Sequence, residues 1–189
     1  MNSATKQPVY TPPPAHDISR LLGNWKNFVH TPDERIAPLI ACAIMHYQFE
    51  AIHPFGDGNG RTGRILMVLY LAYHELLTRP PLYLSGYLHR HRPDYYRLLA
   101  QVSAAGEWEP FIVFMLEGFY QQARETKLML VESVALLQQF REAVRQSGRK
   151  IPQELIEAVF TQPIFTQPIV TPTRAARVLG FITARPPSS

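Results

Sequence analysis

The sequence predicts an all-helical domain. Apolar residues recur at helical spacing through the first third of the chain. Beyond Pro110, a stretch rich in Leu, Gln, Arg and Glu continues to about Gln146 without a further proline. The seventeen prolines gather toward the two ends and leave the middle to helices.

Residues 1–9 read as a polar leader, and Pro12-Pro13-Pro14 favours an extended polyproline path. Asp17 can cap a helix over about 17–29, where Ile18, Leu21, Leu22, Trp25, Phe28 and Val29 make one apolar stripe. Thr31-Pro32-Asp33-Glu34 has the form of a capping box, but Pro38 moves the start of the next main helix to itself. That helix, about 38–51, packs through Leu39, Ile40, Ala43, Ile44 and Tyr47 and delivers His53. Within it Cys42 reads as a small core residue and His46 as a helix-face histidine, since no second metal-type residue stands at a ligand spacing. Ile65 to Leu77 is apolar on nearly all sides and predicts a central buried helix. Ser85 can cap a short helix, and Pro93 opens another through about Ala104. Gly106 breaks the chain before the long helical region, which Gly148 stops. From Ile151 the composition shifts to a small helical appendage, with short helices over about 152–160 and 174–179. Between them TQPIF and TQPIV repeat too briefly for a solenoid.

The chemistry concentrates in His53 to Arg64, HPFGDGNGRTGR. Gly56, Gly58 and Gly60 allow tight backbone turns whose successive N–H groups can form an anion nest. A helix starting near Gly60 adds its leading amides and the positive end of its dipole. Arg61 and Arg64 stand one turn apart and can reach one anion. Asp57 offers a hard oxygen suited to Mg²⁺ beside a polyphosphate. His53 stands at the loop entrance, and an imidazole can take a proton near neutral pH. Cradle, metal ligand and base together describe a phosphoryl or nucleotidyl transfer site. The common phosphate loops, GxxxxGK[ST] and GxGxxG, are absent.

This segment resembles the core motif of Fic domains, HxFx[DE]GN[GK]RxxR. It matches at His53, Phe55, Asp57, Gly58, Asn59, Gly60, Arg61 and Arg64. The resemblance implies a bacterial-type Fic helical bundle over residues 10–147. A short β-hairpin flap ends at YTPPP, so that Tyr10, Thr11 and Pro12 dock the target segment. It implies that ATP lies with its phosphates across Gly58 to Arg61, bound by Gly56, Asp57, Gly58, Asn59, Gly60, Arg61, Thr62 and Arg64, with Mg²⁺ on Asp57. His53 then takes the proton of a Ser, Thr or Tyr hydroxyl on a target protein, and AMP is transferred. Phe55 anchors the loop in the core and Asn59 orients the cradle. SGYLHRHRPDYYRLL also resembles Fic sequences, in which a Tyr-Tyr pair, here Tyr95 and Tyr96, borders the nucleotide base; His91 stands where the family often has Asn. Residues 148–189 resemble the first half of a winged helix without its recognition helix.

Composition bounds the alternatives. Net charge is +4 and the isoelectric point about 9.3, which is too mild to imply a nucleic-acid partner. The single cysteine, Cys42, allows no internal disulfide and fits a reducing, cytoplasmic setting. The N-terminus lacks a signal-peptide core, and no run reaches the ~18 apolar residues of a membrane span. Two other functions stay open: transfer of another phosphate-containing group on the same scaffold, and a DNA-binding regulator, against which the missing recognition helix weighs. Many Fic proteins also carry an inhibitory [ST]xxxE[GN] helix whose glutamate pairs with the second motif arginine. Here Ser103 to Glu107 is the nearest match, but Trp108 follows and Gly106 interrupts. The expectation is an ungated chain, with Arg64 open to the γ-phosphate unless an inhibitory partner or upstream helix supplies the glutamate.

Overall fold

The computed structural model describes residues 11–31, 33–77 and 84–148, and every described element is helical. The chain divides into two compact units, residues 1–127 and 128–189. In the first, α1 (Ala15–His30) presents its predicted stripe half-buried and packs on α2 (Pro38–Ile52). Pro14 rather than Asp17 occupies the N-cap of α1, so the helix begins two residues early. Asp33 instead closes a turn with Arg35, and α2 starts at Pro38 as the proline requires. Trp25 ties the first two helices by donating its indole N–H to the Met45 carbonyl at 2.9 Å.

The core is made by α2, α3 (Asn59–Tyr73), α4 (Leu84–Arg90), α5 (Arg92–Ala105) and the first part of α6 (Trp108–Gln146). Ala41, Cys42, Met45, Met67, Leu71, Phe111 and Met115 are almost wholly buried there. Burial pushes the Cys42 thiol far up, and its sulfur faces the Met67 carbonyl, as a core residue and not a nucleophile would. Tyr87 of α4 lies against α6 only because position 118 is glycine: a β-carbon there would stand 2.6 Å from the Tyr87 ring.

Two expectations for α3 are corrected. α3 is not buried on all sides; Ile65, Leu69 and Tyr73, four residues apart, form an exposed face, and the helix stops at Tyr73 rather than Leu77. The pattern misled because a helix apolar all round can be read equally as buried or as half-covered. The long helix α6 has no break. In the second unit, the described residues 128–148 continue α6 and end at Gly148, which has a left-handed φ of 68°. The expected hairpin flap does not appear among the described residues: Thr11 and Pro12 are exposed and lie in no strand, and Tyr10 lies outside them, as does the appendage over 149–189. Among the described residues no helix is long and apolar enough to cross a membrane.

Candidate active site

The site begins where α2 stops. His53 is the C-cap of α2 and takes the left-handed conformation, φ 50° and ψ 55°. For a residue with a β-carbon this costs on the order of 1 kcal/mol, and it turns the chain out of the helix into the loop. The ring's Nδ1 lies 3.3 Å from the Glu50 carbonyl. A carbonyl only accepts, so Nδ1 is the donor in this contact.

The loop is held by Asn59, not by Phe55. The Asn59 amide, 2% exposed, accepts from the Phe55 N–H at 2.9 Å and donates to the Phe55 carbonyl at 2.6 Å. Phe55 is 51% exposed, its ring leaning on Phe49 with centroids 6.3 Å apart, so the expectation that it anchors the loop in the core is corrected. A buried amide that satisfies both groups of one residue fixes a short loop more sharply than a ring at the surface could. Both ends of that amide are engaged by the loop itself.

Of the three loop glycines only Gly58 has a left-handed φ, 88°, and it is the N-cap of α3. No side chain caps α3, and its first intrahelical bond runs from the Thr62 N–H to the Gly58 carbonyl. The leading amides of Asn59, Gly60 and Arg61 therefore stand at the loop, with the helix's positive end behind them. Gly56 has open space around it. Gly63 is required for a different reason, and Gly60 is closely approached. A β-carbon at 60 would lie 3.1 Å from Arg64 Nη1, and one at 63 would lie 2.6 Å from Glu50 Oε1 and 3.1 Å from His46 Nδ1.

Asp57 is almost fully exposed and pairs with Arg61 at 3.0 Å. Such a surface pair is weak and exchanges readily for a stronger anion or cation. Arg61 and Arg64 line one cleft together with Ile65, Val68 and Leu84. Arg64 also lines a more polar cleft with Ser85, His89, Arg92 and Tyr96. Tyr95 and Tyr96 part company. Tyr95 is 6% exposed, and its hydroxyl meets His46 Nε2 at 2.8 Å. Tyr96 is 47% exposed, with the Arg92 guanidinium over its ring. Burial, aided by the Arg64 charge, drives the His46 imidazole down to about 3, so it is neutral.

A mostly apolar cleft opens beside His53, between α2 and α5. Tyr47, Tyr96, Leu99, Ala100 and Ser103 wall it, and Tyr47 and Ser103 join hydroxyls at 2.9 Å. Sequence reading had not placed Tyr47, Leu99 or Ser103 here, because residues 47 and 103 meet only through tertiary packing. Glu50 was also missed, although it is the one charged residue in the apolar run of α2. Among the described residues no cluster of three or more His, Cys, Asp or Glu side chains could hold a metal by itself. A lone exposed Asp57 beside an anion cradle nonetheless suits Mg²⁺, which takes few protein ligands and fills its shell with phosphate oxygens and water.

Fold and site thus define a helical protein with a histidine at the end of α2, a glycine loop after it, and two arginines in the first turns of α3. A profile of the Fic/DOC family matches residues 2–71. The chain is 34% identical over 112 residues to the protein adenylyltransferase Fic of Aedes aegypti, covering 57% of this chain and 20% of that protein. It is 34% identical over 107 residues to the same-named protein of Nematostella vectensis, covering 56% of this chain and 23% of that one. The chain therefore spans only about a fifth of the length of these relatives. The crystal structure of a Fic family protein from Desulfovibrio desulfuricans G20 superposes with a TM-score of 0.56 at 27% identity, covering 93% of this chain and 46% of that one. Residues 2–71 thus match the Fic/DOC family, and the fold is similar to that of a Fic family protein.

Proposed function

We propose that the protein is an adenylyltransferase, moving AMP from MgATP to a Ser, Thr or Tyr hydroxyl of a target protein. The observation that carries this reading is the position of His53, which lines an apolar cleft at the end of α2, one short loop before the arginines and open amides at the start of α3. The cleft suits a flat purine beside Tyr96, with the Tyr47–Ser103 hydroxyl pair near its edge. The triphosphate extends over the α3 N-terminus toward Arg61 and Arg64. Asp57 would hold Mg²⁺, which when bound neutralises charge on the phosphates. His53 accepts the proton of the target hydroxyl as its oxygen bonds to the α-phosphorus. The bond to the bridging oxygen of the β-phosphate breaks, and pyrophosphate leaves with that electron pair. A positioned base of this kind contributes about 10²–10⁴-fold. Thr11 and Pro12, exposed ahead of α1, are where the target segment docks, together with Tyr10.

The test uses ATP labelled at the α- or the γ-phosphate, with Mg²⁺ and cell protein. Label entering protein from the α position only, and lost in His53→Ala while MgATP binding stays within a few-fold, is the expected result. Label from the γ position would mean phosphoryl transfer. Equal loss of binding and transfer in His53→Ala would remove His53 as the base.

A further inference from the structure

Glu50 lies one turn before His53 on α2 and is directed beneath the first turn of α3. Its Oε1 is within 2.6 Å of where a Gly63 β-carbon would be and 3.8 Å of where a Gly60 β-carbon would be; the latter point is 3.1 Å from Arg64 Nη1. Oε1 is thus walled in, and it meets no hydrogen-bond partner there. A buried carboxylate oxygen left without a partner is costly, and the cost is tolerated where nearby positive charge offsets it. Burial raises the Glu50 pKa, while the charges of His53 and Arg64 act against that rise. Nothing else on α2 is charged, so packing alone does not account for a carboxylate here.

We infer that Glu50 is a positioning residue, which holds the Arg64 guanidinium by charge from beneath α3 and so fixes where Arg64 meets an anion. It acts through Arg64 and does not itself touch the nucleotide. The inference rests on reading the cradle as an anion site. Its sign is distinctive. A negative charge near an anion repels it through space, so removing a mere bystander charge tightens binding. Removing a positioner weakens it.

Two double-mutant cycles decide the matter, on Glu50→Gln, Arg64→Ala and the pair together. In MgATP titration calorimetry, Glu50→Gln should raise Kd about tenfold, Glu50→Asp should stay nearer the parent, and Glu50→Gln should change nothing further once Arg64 is alanine. A Kd that is unchanged or tighter in Glu50→Gln, or effects that multiply in the double variant, would overturn the inference. In urea unfolding without ligand, the double variant's unfolding constant should depart about tenfold from the product of the single effects. A product holding within twofold would equally overturn it. A parent protein that fails to bind MgATP sinks the adenylyltransferase reading, while the ligand-free cycle still decides the Glu50–Arg64 link.

Discussion

At the scale of the residue, the loop divides labour between groups that hold and groups that act. Asn59 holds: both ends of its amide are engaged with Phe55, and it is buried. Asp57 is the group proposed to act: its side chain is exposed and pairs with Arg61 across the surface. Asp57→Ala should therefore leave the urea midpoint nearly unmoved and still lower Mg²⁺-dependent transfer at saturating ATP. Undiminished transfer in that variant would take Asp57 out of the chemistry. Asn59→Ala should do the reverse in stability, losing about 1–3 kcal/mol by chemical denaturation because two backbone groups of Phe55 lose their partner. Sequence alone identified these residues, since their spacing is local. It misassigned the holding role to Phe55, because an aromatic beside a loop looks like an anchor until the backbone places it half outside.

At the scale of the element, helices were legible and their faces less so. Pro38, Gly106 and Gly148 marked boundaries that chain geometry enforces. α3 was legible as a helix but not as half-exposed, since its sequence is apolar where it faces the core and also at Ile65, Leu69 and Tyr73. The Tyr47–Ser103 pair was illegible for a different reason: it joins α2 to α5 across fifty-six positions. Close approach of elements yields a further prediction. A β-carbon at 118 would overlap the Tyr87 ring, so Gly118→Ala should cost about 1–3 kcal/mol of stability by urea denaturation, with Tyr87→Leu in the same background restoring part of it.

At the scale of the whole molecule, the core carries a titration. The folded His46 is held down to about 3, below the ordinary value near 6.5 that it regains on unfolding. As pH falls below about 6.5, the unfolded chain takes a proton that the folded one refuses, so stability declines by about 1.4 kcal/mol per unit until about 3. Glu50 works the other way: its raised pKa gives a contribution present at low pH and lost as pH rises through its folded value. Urea midpoints measured between pH 7 and 4.5 should thus fall with acid, and His46→Gln should flatten that slope whatever it does to the baseline. An unchanged slope in the variant would show that acid sensitivity originates elsewhere. No sequence pattern announced this, because a histidine's burial is decided by what packs around it.

The left-handed backbone of His53 sets chemistry against durability. A glycine would adopt that turn without strain, so His53→Gly should unfold at higher urea than His53→Ala, though neither transfers anything. A mutant library sorted only for heat resistance should therefore favour glycine or asparagine at this position, and a library sorted for labelling should return histidine. The strained turn marks where selection for work and selection for endurance pull the same residue apart.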